Sequence, residues 1–558
     1  MGKVVNKLAG QRVPKSMLIN VRHLISTFYN FTGKLKNVAF GTSGHRGTSL
    51  DGSFNRQHIE AITQAICEYR TANSITGPLY LGFDTHGLST PAFKVALKVL
   101  HANGVKVIVN RFNEYTPTPV ISRMIIRHNQ MNGTEKADGI VITPSHNGPG
   151  DGGFKYNPPH GGPADVDATG WIEKRANEIM TENNKVVKLS NYYWARYGAQ
   201  LTKKTVAKDF VAPFVEDLGK VIDFTAIREA KLKIGVDPMG GAGVHYWRKI
   251  AKRYGIRIDV VNKKVDPQFG FMTLDHDGKI RMDCSSKYAM AGLIGLKDQF
   301  DIAFGNDPDY DRHGIVTPEG LMNPNHFLAV AIWYLLQNRP EWAANLKIGK
   351  TLVSSSMIDK VVADLGHELY EVPVGFKWFV DGLAMGWLAF GGEESAGATF
   401  LCMDGSTWTT DKDGFALALL AAEIRAKTGL SPQHIYDNIL VPKYGNFYYD
   451  RNDVELTETS APLFRKSAKE LATRLKIGDK IAGRKIVKVI ITAPGNNAPM
   501  GGAKVFFDDG SWFAVRASGT ELKGKIYIET FGAESLTTEL KALWENINNE
   551  VEPIMLAA

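Results

Sequence analysis

Four short stretches of this chain gather side chains able to attack, to hold a cation or to grip an anion. The first is Ala137 to Asn157, ADGIVITPSHNGPGDGGFKYN, where Ser145 offers a hydroxyl, His146 an imidazole and Lys155 an ammonium. Glycines keep the backbone thin and able to approach a ligand, and an activated hydroxyl is the material of nucleophilic catalysis. Taken alone, the stretch is equally compatible with a Gly/Pro-rich surface turn. The second, Gly305-Asn-Asp-Pro-Asp-Tyr-Asp-Arg-His-Gly314, carries Asp307, Asp309 and Asp311 at alternate positions. In an extended segment alternate side chains project to one side, so the three carboxylates are expected to converge on one hard divalent cation. The competing reading is an acidic solvated turn.

The third stretch, Gly391-Gly-Glu-Glu-Ser-Ala-Gly397, offers Glu393 and Ser395 at alternate positions, a pattern suited to vicinal sugar hydroxyls or, equally, to a glycine-rich turn with a helix cap. Lys377 and Lys412 supply cations from the same region. The fourth, Arg516-Ala-Ser-Gly-Thr-Glu521, brings the Arg516 fork, the Ser518 and Thr520 hydroxyls and the Gly519 amide into a compact phosphate cradle. Near the amino terminus Phe40-Gly-Thr-Ser-Gly-His-Arg-Gly47, with Arg46, has the makings of an anion nest. No Gly-x-x-x-x-Gly-Lys-Ser/Thr run occurs, which argues against an ATP-dependent kinase.

Two other metal chemistries compete for the aspartate stretch. An EF-hand fails, because Arg312 stands where glycine is required and Pro318 where the bidentate glutamate belongs. A phosphatase of the haloacid-dehalogenase type would use Asp307 as nucleophile with Asp309 two positions on. There Asp311 occupies the place of the usual Thr or Val.

The elements that must position these loops follow a recurring plan. Ile140 to Ile142 reads as a buried strand ending at Pro144, which puts Ser145 at a strand's carboxyl end, where open α/β sheets bind ligands. Strand Leu79 to Phe83, turn Asp84-Thr-His-Gly and helix Ser89 to Asn103 form one strand-turn-helix unit leading to strand Val105 to Val109. Lys233 to Val236 with helix Val244 to Tyr254 and strand Ile256 to Val261 repeats it, as does Lys350 to Val353 with a helix from Ile358. Phe300 to Phe304 is the strand that delivers the aspartates. Helices are expected over Ser16 to Tyr29 and Asn55 to Thr71. Three starts of one plan imply three related α/β domains with mixed, mainly parallel sheets. From about Tyr444 the order becomes helix Ala461 to Leu475, strand Lys485 to Thr492, hairpin strands Lys504 to Phe507 and Trp512 to Val515, strand Lys525 to Thr530 and a last helix, an α+β pattern. The expected division is 1–205, 206–320, 321–443 and 444–558.

A chain of 558 residues is too long for one core. Its net charge of +8 comes from 66 basic and 58 acidic residues spread along the chain, which argues against a nucleic-acid stripe and suits small anionic substrates. Cys67, Cys284 and Cys402 lack metal-ligand spacing and cannot all pair, so a reducing cytoplasmic location is expected. The first sixteen residues have charge but no apolar core, and Asn6 stands where myristoylation wants Ser or Thr. The longest apolar run, Phe327 to Leu336, is about half of the ~20 residues that cross a bilayer, so no membrane partner is expected and the run reads as a buried helix.

In this order, Thr143-Pro-Ser-His-Asn147, Asp307-Pro-Asp-Tyr-Asp-Arg312, Gly392-Glu-Glu-Ser395 and Arg516-Ala-Ser-Gly-Thr520 resemble the four active-site loops of the α-D-phosphohexomutase superfamily, closest to its long bacterial phosphoglucomutases. The resemblance implies four domains around a central cleft. It implies Ser145 as the phosphoryl carrier and one Mg²⁺ per chain held by Asp307, Asp309, Asp311 and the Ser145 phosphate. Arg46, His146, Lys155 and Arg312 would serve the phosphoryl site, Glu393 and Ser395 the sugar hydroxyls, Lys377 and Lys412 the substrate, and Arg516, Ser518, Gly519 and Thr520 the distal phosphate. Ala517 departs from the family's usual proline, a change that affects rigidity more than contacts. The Glu-Glu-Ser form is similar to the glucose-specific branch. The implied reaction is reversible conversion of α-D-glucose 1-phosphate and glucose 6-phosphate, with glucose 1,6-bisphosphate as intermediate and activator. The resemblance leaves open whether the chain is a monomer or a homodimer. The rival is a metal-dependent sugar-phosphate phosphatase using Asp307.

Overall fold

The computed structural model describes residues 5–41, 44–111, 114–131, 133–193, 195–196, 204–518 and 523–532. Gly519, Thr520 and the expected last helix lie outside them.

The first sheet has six strands in the order His45–Thr48, Asp151–Asn157, Asp138–Ile142, Leu79–Phe83, Val107–Asn110, Thr205–Lys208. Its last four run parallel, and the two at the Ser145 edge are antiparallel. Thr205–Lys208 spans the expected division at 205/206 and pairs with Val107–Asn110. The Asp138–Ile142 strand is buried throughout, as a parallel strand covered by helices on both faces must be. The first helix begins at Val21, not Ser16, because the Asn20 side chain accepts the His23 N–H and caps it there.

The second sheet runs Gly320–Leu321, Gly314–Thr317, Ile302–Gly305, Lys233–Asp237, Arg257–Val260, and the third Glu368–Val372, Lys347–Thr351, Leu388–Glu393, Gly397–Phe400. Each has a parallel centre and an antiparallel edge beside the loop of interest. The third-sheet strand expected over Lys350 to Val353 runs instead over Lys347–Thr351. Leu352 and Val353 lie past its end, where the Leu352 N–H still donates to the Val372 carbonyl at 2.8 Å, and their side chains pack on Trp512, Ala514 and Tyr527 of the fourth unit. Helix Pro324–Asn338 contains the apolar run and is buried along most of its length.

The first three units share one core. Phe214, Tyr246, Trp247 and Tyr310 of the second unit meet Trp408 and Phe415 of the third, and Tyr80, Val120 and Ile121 of the first join the same cluster. Tyr310 stacks on Phe415 with ring centroids 4.4 Å apart and accepts the Trp247 indole N–H at 3.0 Å. Stacked aromatic pairs add about 0.5–1.5 kcal/mol beyond their buried area. That anchor matters because Tyr310 sits inside the aspartate stretch.

The fourth unit is a six-stranded antiparallel sheet, Phe447–Glu455, Lys523–Phe531, Trp512–Ala517, Pro499–Phe507, Arg484–Thr492, Lys480–Ile481. Helix Ser460–Arg474 covers one face through Phe464, Ala468 and Leu471. The other face docks on the third unit and there buries Lys504, whose ammonium donates to the Leu352 carbonyl at 2.6 Å and lies 4.0 Å over the Trp512 ring. Among the described residues no helix is long and apolar enough to cross a membrane.

Candidate active site

Ser145 follows the Asp138–Ile142 strand with φ +60°, a left-handed conformation that costs an ordinary residue about 1–2 kcal/mol. Its N–H donates to Thr143 Oγ1 at 2.8 Å and its Oγ donates to Asp307 Oδ2 at 2.8 Å. The hydroxyl is buried, and the aspartate comes from the second sheet. His146 is held by its carbonyl, which accepts the Met282 N–H at 3.0 Å, while its Nδ1 is buried without a hydrogen-bond partner among the described residues. Burial first, and then Arg312, keep this imidazole well below its usual range, so it is neutral at pH 7. Arg46 and Lys155 lie on the paired strands His45–Thr48 and Asp151–Asn157, which form the edge of the sheet.

The aspartate stretch is not extended. It is a turn in which the Tyr310 N–H donates to the Asp307 carbonyl at 2.9 Å and Tyr310 itself adopts φ +62°. The expected convergence occurs all the same: one carboxylate oxygen of each of Asp307, Asp309 and Asp311 lies within 4.8 Å of the other two. The turn and the Tyr310 anchor, not strand alternation, aim them together.

Three cations meet the three carboxylates. Lys155 Nζ donates to Asp309 Oδ2 at 2.7 Å and to Asp311 Oδ2 at 3.3 Å, Lys412 Nζ is 3.0 Å from Asp311, and Arg312 Nε is 3.8 Å from it. Burial alone would raise Asp311, but Lys412, Lys155 and Arg312 hold it well below the usual range. Asp307 is pushed well above it by burial and by Asp311 and Asp309. Burial would also lower Lys155, and the two aspartates overcome it and raise the ammonium. Even so, Asp309 Oδ1 and Asp311 Oδ1 remain buried with no hydrogen-bond partner among the described residues. Orphaned oxygens in a buried cluster of three carboxylates, an all-oxygen donor set, fit a hard divalent cation.

Glu393 is buried, accepts the Gly375 N–H at 3.1 Å and stands 3.9 Å from Lys412, while Ser395 lines the same cleft. That cleft, of about 400 Å³, is also lined by Arg46, His146, Lys155, Arg312, Lys412, Arg516 and Ser518. Lys377 does not join them. Val374 and Phe376 form the wall there, and the Lys377 ammonium lies 5.3 Å over the Trp378 ring. On the fourth unit, Ser518 N–H donates to the Lys523 carbonyl at 2.7 Å, and Arg516 pairs in register with Lys525.

Sequence reasoning missed several contributors. Thr118 clasps Asp309 twice, by its N–H to the carbonyl at 2.9 Å and its hydroxyl to Oδ2 at 2.7 Å. Asp283 faces His146 and Arg312. Burial would raise its carboxyl, and these two with the Ser285 hydroxyl hold it below the usual range. Arg451, Lys523 and Lys525 add positive charge to the wall. Cross-strand register would have been the only signal for the last two.

Models of the phosphoglucomutase/phosphomannomutase alpha/beta/alpha domains I, II and III match residues 37–183, 212–320 and 323–442 in turn. A phosphoglucomutase of Komagataeibacter xylinus is 50% identical over 560 residues, covering 99% of this chain and 98% of that protein. Among solved structures, the open form of the Paramecium phosphoprotein pp63/parafusin superposes with a TM-score of 0.72 at 21% identity, covering 94% of this chain and 96% of that one. A phosphoglucomutase/phosphomannomutase family protein of Burkholderia thailandensis gives 0.69 at 18% identity, covering 94% and 99%. These two likenesses speak to the fold, whereas the domain matches and the 50% relative speak to descent. The chain belongs to the phosphoglucomutase/phosphomannomutase family.

Proposed function

We propose that the protein interconverts α-D-glucose 1-phosphate and glucose 6-phosphate through a phosphorylated Ser145 and a glucose 1,6-bisphosphate intermediate. The observation that carries this is the Ser145 Oγ to Asp307 hydrogen bond of 2.8 Å, which puts a nucleophilic hydroxyl on the carboxylate cluster of another unit. The name of the relative at 50% identity supports the glucose substrate. In the forward direction the phosphorus–Oγ bond of Ser145 breaks as a bond forms to the free sugar hydroxyl. The second half returns the other phosphate to Ser145.

Asp307, Asp309, Asp311 and the Ser145 phosphate would hold one Mg²⁺, which supplies charge neutralisation on the transferring oxygens. Asp309 and Asp311 already pair with three protein cations, so Mg²⁺ would chiefly offset Asp307 and a phosphoserine of about −2 charge. Lys155, Arg312 and Lys412 stabilise the equatorial oxygens, and neutral His146 offers a ring nitrogen to the reacting group. Glu393 and Ser395 read sugar hydroxyls. Arg516 and Ser518, with Gly519 and Thr520, grip the phosphate that is not reacting. A cradle that reads phosphate and ignores the sugar suits a substrate that must bind in two orientations. The division of labour follows the four units at 1–205, 206–320, 321–443 and 444–558, and Lys377, which lies outside the cleft lining, takes no part in it.

The deciding experiment is intact mass of the purified protein together with turnover of glucose 1-phosphate. A phosphate on Ser145 and loss of activity in Ser145→Ala support the mutase. Release of free phosphate from glucose 6-phosphate by the Ser145→Ala protein would replace it with the phosphatase.

A further inference from the structure

The turn Asp84-Thr-His-Gly87 follows strand Leu79–Phe83, lies behind the Ser145 loop and does not line the cleft. Asp84 is fully buried and accepts four hydrogen bonds. Its Oδ1 takes the His86 N–H at 3.0 Å and Ser89 Oγ at 2.6 Å, and its Oδ2 takes His86 Nδ1 at 2.7 Å and Thr143 Oγ1 at 2.7 Å. Thr143 Oγ1 in turn accepts the Ser145 N–H at 2.8 Å. On the other side His86 Nε2 reaches the Asn147 carbonyl at 3.0 Å. One continuous chain of hydrogen bonds therefore ties both shoulders of Ser145 to a single ion pair.

His86 faces an acceptor at each nitrogen, a carboxylate and a carbonyl, so both nitrogens carry hydrogen and the ring is an imidazolium. The ring also packs on Phe269 of the second unit, centroids 5.0 Å apart. A buried ion pair is a poor source of net stability, since apolar residues of the same volume would serve as well. What it does supply is direction: every hydrogen bond is filled, and the geometry is over-determined. The residue it braces sits at φ +60°, a conformation that persists only where its surroundings hold it.

We propose that Asp84 and His86 are positioning residues for phosphoryl transfer, a buried clamp that fixes the Ser145 loop from behind through Thr143 and Asn147 and keeps the Ser145 hydroxyl on Asp307. The inference rests on Ser145 as the phosphoryl carrier. Misplacing a reacting atom by about 1 Å costs on the order of 100-fold in rate, with no change in the groups that bind substrate.

The test uses the full chain with Mg²⁺ and glucose 1-phosphate, and reads kcat, KM, melting temperature and phosphate on Ser145 by mass. His86→Gln is expected to lower kcat by roughly 100-fold while KM stays within about twofold. Thr143→Val, which keeps the volume and removes the relay hydroxyl, is expected to do the same, and Thr143→Ser to recover kcat to within about threefold of the parent. The Thr143 pair decides the matter even where His86→Gln fails to fold. A Thr143→Val enzyme within twofold of the parent, or a Thr143→Ser enzyme as impaired as Thr143→Val, overturns the positioning role alone. An active parent that never carries phosphate on Ser145 overturns the reading of Ser145 and the clamp with it.

Discussion

Ser145 Oγ and Asp307 Oδ2 are 2.8 Å apart although 162 positions of chain separate them. The contact places the reacting hydroxyl at the seam between two sheets, so its chemistry depends on residues that neither sheet holds alone. Ser145→Ala is expected to lower kcat by roughly 10⁴-fold or more, as removal of a nucleophile does elsewhere. Melting temperature should stay near that of the parent, and the mass shift of one phosphate on incubation with glucose 1,6-bisphosphate should vanish.

Asp311 receives Lys412 at 3.0 Å and Lys155 at 3.3 Å, and its Oδ1 has no hydrogen-bond donor among the described residues. Asp311→Asn removes one cation ligand and leaves two ammonium groups with one acceptor fewer. The Mg²⁺ concentration giving half-maximal activity is expected to rise by about 10- to 100-fold, which a titration of rate against Mg²⁺ checks. An unchanged midpoint would take Asp311 out of the metal site.

Gly153 lies opposite the nucleophile loop. A Cβ there would stand 2.0 Å from the Thr143 carbonyl oxygen and 2.8 Å from Pro144 Cα, both backbone atoms that cannot swing aside. Gly153→Ala must therefore displace the segment that carries Ser145. Expected are a loss of about 1–3 kcal/mol in stability by overpacking and a fall in kcat larger than that loss explains, read from urea unfolding and turnover on the same samples.

Which parts of this were legible in the residues depended on whether the signal was local. The strand before Ser145 and the glycines after it are properties of one stretch, and periodicity exposed them. The aspartates were recognised for a reason the fold does not use: their convergence comes from the left-handed Tyr310 and its stack on Phe415, a residue more than a hundred positions away. Leu352 and Val353 misled because an apolar pair reads the same in a strand as in an interface. Thr118 and the Asp84–His86 pair were invisible, since a threonine before proline and a polar turn carry no mark of what they will be packed against.

Lys504 gives a pH dependence with a definite sign. Burial first lowers its ammonium, against a smaller pull from Glu371, to about 8 from the ordinary 10.5. Between those values the unfolded chain holds the proton and the folded chain does not, so this residue's contribution to stability rises with pH and is flat below pH 8. The gain from pH 7.5 to 9.5 is about 2 kcal/mol. Urea unfolding of the parent and of Lys504→Met at both pH values checks it. The stability of the parent minus that of Lys504→Met should rise by that amount as the pH rises, and a constant difference would refute it.

Thr118 is fastened to Asp309 by main chain and side chain alike, and Met282 to His146 by main chain. The serine half and the aspartate half have thus been fitted to one another atom by atom. A chimaera that exchanged the first unit for that of a distant relative would inherit two sound halves and a poor joint. Its failure would be catalytic before it was structural, and its repair would come from replacements at the joint, in matched pairs.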